Sequence, residues 1–288
     1  MYYGIIAVSV VLFGVNFALN GQYQKRMSSG FFASFFLSAL SACAGIVILF
    51  PMNGFRFEIA PFPLLMAACT AVNGILLMFC GLKTLGRANL SLYSLFMMLG
   101  GMALPSVMGV LFFDEGWHWA KGVCYLLLIA ALAVTVEKGT QKGGYFYFFG
   151  AFVLNGMSGV IAKIYTHFSG ETPQISTEGY SLLSAACTLI LAGTLALISF
   201  FSAKKRPPLA AVFFGLGSGG LNQFANFLLL VAISHVPASV QYPMVTGGTM
   251  IVSTVIAAFS ENKPTKKQWL AVFLSLLGTL VLLAVPEP

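Results

Sequence analysis

Six of the nine asparagines, Asn16, Asn20, Asn73, Asn155, Asn222 and Asn226, stand within strongly apolar stretches of the chain. Asn16 and Asn20 are four residues apart, as are Asn222 and Asn226, so each pair shares one face of a helix. Asn155 and Ser158, and likewise Thr70 and Asn73, are three apart with the same consequence. A carboxamide donates and accepts hydrogen bonds. In an apolar setting such groups either bond a neighbouring helix or line a path for a polar solute. Lys163 adds a cation that either attracts a carboxylate or phosphate or snorkels to the headgroups. Tyr93 and Tyr242 offer ring faces to an aromatic or cationic ligand; Tyr242, beside Pro243, is the gate candidate. The candidate substrate-binding set is therefore Asn16, Asn20, Asn73, Tyr93, Asn155, Ser158, Lys163, Asn222, Asn226 and Tyr242. Tyr242, Thr246, Thr249 and Ser253 follow one helical stripe, and Ser91 and Ser94 flank Tyr93.

Catalytic patterns are absent from the sequence. There is no HExxH, CxxC or GxSxG, and His118, His167 and His235 all fall in expected loops. The five cysteines, an odd number, lie inside apolar runs and read as small buried hydrophobes. No enzyme, metal or cofactor is expected. Asp114, Glu115 and Glu261 stand at the ends of apolar runs and no acid stands inside one. Proton antiport of a cationic drug needs such an acid, so a uniporter or a carrier of neutral or zwitterionic solutes is favoured.

The elements that must position these groups follow from composition. Of 288 residues, 58% are hydrophobic and 8% charged, and the mean hydropathy is +0.90. Soluble domains carry about 25% charge, so a soluble enzyme, a disulfide scaffold and a disordered chain are excluded. Continuous rather than alternating apolar runs argue against a β-barrel. A bilayer core of about 30 Å takes roughly 20 helical residues. Ten such runs are legible, near 2–22, 31–50, 62–82, 90–113, 120–136, 145–165, 180–202, 209–232, 238–259 and 268–285. Only Lys121 and Lys163 put a charge inside them. Trp117, Trp119 and Trp269 stand at run ends, where interface aromatics belong. The first run has no basic region before it and no cleavage pattern after it, and reads as a retained helix.

The net charge is +7. No basic stretch interleaves with aromatics, which argues against nucleic acid. Twelve of the 15 Lys and Arg residues fall in alternate loops, among them Lys25, Arg26, Lys83, Arg87, Lys204, Lys205 and Arg206. The positive-inside rule then puts both termini outside the cytoplasm, in a multi-pass protein of the plasma (inner) membrane.

An internal repeat is also visible. Met97, Gly100, Gly101 and Asp114 recur as Met244, Gly247, Gly248 and Glu261, displaced by 147 residues. Phe13-Gly14-Val15-Asn16 and Asn155-Gly156-Met157-Ser158 are displaced by 142. The chain divides into 1–139 and 140–288, each with five helices. Five is odd, so the second half enters from the opposite side, an architecture of secondary transporters with the site between the halves.

Phe13-Gly14-Val15-Asn16-Phe17 resembles the W-G-x-N-F opening of the drug/metabolite transporter superfamily, in its EamA-like ten-helix branch. Pro243, eighteen residues before Glu261, resembles that family's proline-to-glutamate signature. The first half has Phe96 where that proline would fall. The family's first helix often carries a basic residue five positions after the Asn; here that position is Gly21, and the repeat-equivalent position in the sixth run is Lys163. The resemblance implies an all-α integral membrane carrier of a small polar metabolite, amino acids above all, working by alternating access. A carrier of organic cations such as choline-like amines, and a non-transport scaffold or receptor, are the alternatives. The expected partners are a small solute and the lipid bilayer.

Overall fold

The computed structural model describes residues 2–27, 30–87, 90–112, 119–135, 145–168, 175–203, 206–233, 235–236, 238–260 and 263–285. Asp114, Glu115, Glu261, His118 and Trp117 lie outside the described residues, as does the side chain of Tyr242. The described residues form ten helices and no strand: α1 (Tyr2–Met27), α2 (Phe31–Met52), α3 (Pro61–Leu85), α4 (Leu90–Phe112), α5 (Trp119–Thr135), α6 (Tyr145–Phe168), α7 (Thr177–Ala203), α8 (Leu209–Ile233), α9 (Ala238–Ala258) and α10 (Lys266–Ala284). Helices are the form expected where lipid offers the backbone no hydrogen bonds.

Helix starts and lengths track the apolar runs, with differences at the ends. α1 continues five residues past its apolar run and carries Lys25 and Arg26 in its last turn. Cations there complement the helix dipole. Arg26 Nη1 also donates to the Gln22 carbonyl at 2.9 Å and to Gln22 Oε1 at 2.9 Å. α7 begins three residues before its apolar run and takes Glu178 into its first turn, the end where the dipole favours an acid. α6 runs on through Phe168, so His167 lies in a helical turn rather than in the expected loop. α10 opens on a capping box: the Thr265 hydroxyl accepts from the Gln268 N–H, and Gln268 Oε1 accepts from the Thr265 N–H.

Six helices are long and apolar enough to cross a membrane: Tyr2–Met27, Phe31–Met52, Pro61–Leu85, Leu90–Gly109, Tyr145–Phe168 and Thr177–Phe201. Shorter apolar helices cover Trp119–Ala131 and Met244–Ala258. α8 has 25 residues, but Asn222, Gln223 and Asn226 dilute its apolarity. The outer surface is apolar too: Val47 is 73%, Phe201 77% and Phe259 90% exposed. Soluble proteins do not show so much large apolar surface, and a surface of this kind fits the interior of a bilayer. Cys69 departs from the expected burial for this reason. It stands exposed on α3 in line with the exposed Leu65, Val72 and Leu76, a helical stripe turned toward lipid. Cys80 and Cys124 are buried, and all five cysteines are free. Trp119 and Trp269 are exposed.

Packing is dense between particular helices. α1 packs against α8 and α9, α2 against α7 and α8, α3 against α6 and α7, α4 against α6 and α9, and α5 against α10. α4 is the most enclosed: from Ser91 to Met102 it has no exposed residue. Its contact with α6 needs glycine. A Cβ on Gly156 would lie 2.6 Å from both the Gly100 carbonyl oxygen and Leu104 Cβ, inside any allowed contact. Small residues that bring backbones together are the usual device of membrane helix packing.

Candidate functional site

The polar residues resolve into groups at different helix interfaces. The first joins α1 to α8. Asn20 Nδ2 donates to Asn16 Oδ1 at 3.4 Å, and Asn16 Nδ2 donates to Asn222 Oδ1 at 3.3 Å. Asn226 Nδ2 donates to the Asn222 carbonyl at 2.8 Å. The three carboxamides Asn20, Asn16 and Asn222 thus form a continuous chain of hydrogen bonds, because Asn16 and Asn20 share a face of α1 and Asn16 meets Asn222 where α1 packs on α8. Asn16 and Asn20 are buried and Asn226 is exposed. Asn20 Oδ1, at the buried end, has no hydrogen-bond partner among the described residues. A buried amide oxygen left unpaired costs about 1–3 kcal/mol. This atom is therefore a ready acceptor for an N–H or O–H brought to it.

The second group joins α3 to α6. Asn73 Nδ2 lies 2.9 Å from the Leu154 carbonyl and 2.8 Å from Ser158 Oγ, and the Ser158 hydroxyl donates in turn to the Leu154 carbonyl at 3.2 Å. Asn155 does not share this group. Its Nδ2 donates to the Met97 carbonyl on α4, and a Cβ on Gly101 would sit 2.6 Å from it. Asn155 acts between α4 and α6 as interhelical glue, the simpler of the two roles open to it.

Tyr93 is buried on α4, with its ring edge-on to Phe17 at 5.1 Å between centroids and 70° between planes. Its hydroxyl lies 3.1 Å from where a Gly81 Cβ would stand. Lys163 is half-buried on α6, and its carbonyl accepts from the Thr166 hydroxyl at 3.1 Å. The Tyr242 backbone is in α9.

Three groups were not assembled by sequence reading. Beside Tyr93, α4 and α9 meet through hydroxyls. Ser91 Oγ lies 2.9 Å from Thr254 Oγ1, and the Ser253 hydroxyl donates to Ser94 Oγ at 2.6 Å. All four residues are buried. Ser91, Ser94 and Ser253 stand out in the sequence as polar residues on helix faces; their mutual contact does not. Between α3, α6 and α7, Tyr165 stacks on Tyr180 at 3.8 Å and 11°, Phe62 stacks on Tyr165, and the Thr70 and Tyr180 hydroxyls are 3.1 Å apart. At the same end, Ser176 caps α7 by accepting from the Gly179 N–H at 3.0 Å. Ser176 N–H donates to Glu58 Oε2 at 2.9 Å, and its hydroxyl lies 2.8 Å from Asn53 Oδ1. The segment between α2 and α3 is thereby fastened to the positive end of the α7 dipole. A lone acid in a loop gives no sequence signal for such a fastening.

No group of three or more metal-ligating side chains occurs among the described residues. The arrangement offers neutral hydrogen-bonding groups inside an apolar body.

No family model matches the chain, and no curated protein does. Solved structures do: 28 chains are similar. One of them, described only as the crystal structure of a protein, superposes with a TM-score of 0.57 over 95% of this chain and 97% of its own length, at 18% identity. The likeness is one of fold, and it runs through the whole helical body.

Proposed function

We propose that this chain is a secondary transporter of a small polar metabolite, with ten transmembrane helices arranged as two inverted five-helix repeats over 1–139 and 140–288. The packing supports the repeat. α1 against α8 and α9 has its counterpart in α6 against α3 and α4, while α2 with α7, α4 with α9 and α5 with α10 pair across the halves. The side chains agree. Asn16 bonds Asn222 between α1 and α8, and Ser158 bonds Asn73 between α6 and α3. Asn16 and Ser158 are 142 positions apart and Asn73 and Asn222 are 149 apart, close to the repeat displacement.

The observation that carries the transport reading is the carboxamide chain Asn20–Asn16–Asn222, which crosses between the halves and ends on the unpartnered buried Asn20 Oδ1. Polar groups at the repeat interface are where such carriers hold their solute. A neutral donor-acceptor chain suits an amino acid or a similar zwitterion, the class the family resemblance points to. The halves rock about this interface, with uniport or export in a plasma membrane and both termini outside the cytoplasm.

Solute counterflow in liposomes tests this. The panel holds neutral, aromatic and acidic amino acids, quaternary amines and nucleosides. Uptake of amino acids, competed by other amino acids and absent from empty liposomes, is the expected result. Uptake of quaternary amines alone would replace the solute class. No uptake from folded protein would remove the transport reading.

A further inference from the structure

A ledge of five aromatic rings crosses from α2 over α3 to α6. Phe35 meets Phe31 at 6.0 Å, Phe31 stacks parallel on Phe79 at 4.6 Å, Phe79 meets Tyr147 edge-on at 5.9 Å, and Tyr147 meets Phe146 at 5.6 Å. Phe31 is 63% and Phe146 72% exposed. Two cations stand over the same rings. Lys83 Nζ is 5.6 Å from the Phe79 centroid and 6.0 Å from that of Tyr147, and Arg87 Cζ is 4.9 Å above Tyr147. Arg87 Nη1 donates to the Lys83 carbonyl at 3.0 Å, which anchors the guanidinium to its own helix end.

A guanidinium has five N–H donors, and among the described residues the hydrogen bond of this one goes to the Lys83 carbonyl. No carboxylate among the described residues is close. Glu58 precedes the far end of the 25-residue α3, a helix length of about 37 Å away, and is bonded to Ser176. Glu178 opens α7 beside it. Two cations with no anion beside them among the described residues, held over the half-buried rings of Phe79 and Tyr147 with the exposed Phe31 and Phe146 next to them, at the end of membrane-spanning helices, form a site for a ligand with an anionic head and apolar tails. We infer that Lys83, Arg87 and Tyr147 bind the phosphate of an anionic phospholipid, with its acyl chains lying along Phe31, Phe79 and Phe146. Arginine meets phosphate through two parallel N–H bonds while lysine adds a point charge. Basic pockets between helices on the cytoplasmic side are known to take anionic headgroups. The choline of a zwitterionic lipid would instead bring a cation toward two others. The bound lipid would touch both α3 and α6.

Native mass spectrometry of the detergent-purified protein tests this, with phosphatidylglycerol and phosphatidylcholine as probes. Wild type is expected to retain phosphatidylglycerol adducts selectively. K83Q/R87Q should bind that lipid roughly thirtyfold more weakly, at about one kcal/mol per cation removed. K25Q/R26Q removes as much charge from the same end of the bundle and should bind as wild type does. Equal retention of the two lipids by wild type would overturn the site without recourse to any variant. So would undiminished binding by K83Q/R87Q, or an equal loss in K25Q/R26Q, which would reduce the effect to bulk charge.

Discussion

Asn73 Nδ2 lies 2.8 Å from Ser158 Oγ, joining α3 to α6 across 85 residues of sequence. The same amide nitrogen reaches the Leu154 carbonyl, so one side chain bonds a neighbouring helix at both a hydroxyl and a backbone oxygen. Such bonds inside membranes average about 0.6 kcal/mol and reach about 1.7 kcal/mol. A double-mutant cycle of N73A and S158A, read by reversible unfolding in mixed micelles, should give a coupling within that interval. A coupling of zero would mean that the two groups do not meet in the bilayer.

Asn222 and Asn226 should respond differently to alanine. Asn222 accepts from Asn16 across the helix interface, whereas Asn226 is exposed and bonds only the backbone of its own helix among the described residues. N222A should lower both stability, by about 0.6 kcal/mol, and counterflow. N226A should lower counterflow while leaving the melting temperature within about 2 °C, the shift that about 0.5 kcal/mol produces in a chain this size. Equal loss of folded protein in both variants would assign the pair to packing alone.

The contact of α4 with α9 can be locked. Ser94 Oγ and Ser253 Oγ are 2.6 Å apart, near the separation of about 2.05 Å that a disulfide requires. In a background freed of the five native cysteines, S94C/S253C should crosslink under mild oxidant. If the halves rock as proposed, the oxidised protein stops transporting and dithiothreitol restores it. Full activity of the crosslinked protein would show that this end need not open.

Gly156 tests the tightness of the α4–α6 crossing. Alanine there would bring a methyl within 2.6 Å of the Gly100 carbonyl oxygen and Leu104 Cβ. Overpacking of this kind costs about 1–3 kcal/mol, and G156A should lose that much in thermal unfolding. Gly74, where a Cβ meets nothing within 4 Å, is the matched control, and G74A should melt within a few degrees of wild type.

Much of the helical body was legible in sequence because the signal is local. A run of about 20 apolar residues dictates a helix wherever lipid is the solvent, and each of the ten runs became one. Ends were less legible: Lys25 and Arg26 read as loop, yet dipole and Gln22 draw them into α1. Within the candidate site, spacing alone put Asn16 with Asn20 and Asn222 with Asn226. Their meeting depends on α1 packing on α8, and no local pattern encodes contact across 206 residues. Asn155 shows the converse. Its three-residue spacing from Ser158 predicted a common role, but a shared face is broad, and the two side chains reach different helices. Glu58 gave no warning because its effect comes from the α7 terminus it meets.

The serines between α4 and α9 have a property beyond their contact. Ser94 also donates to the Ser91 carbonyl at 2.9 Å, and Ser253 also lies 3.1 Å from the Met250 carbonyl. Each hydroxyl hydrogen therefore keeps an acceptor within its own helix if the two helices draw apart. The fastening has no charge to solvate on release and strands no donor in either position. It behaves like a press-stud rather than a weld, and two membrane helices closed by it can part and re-close many times at small cost.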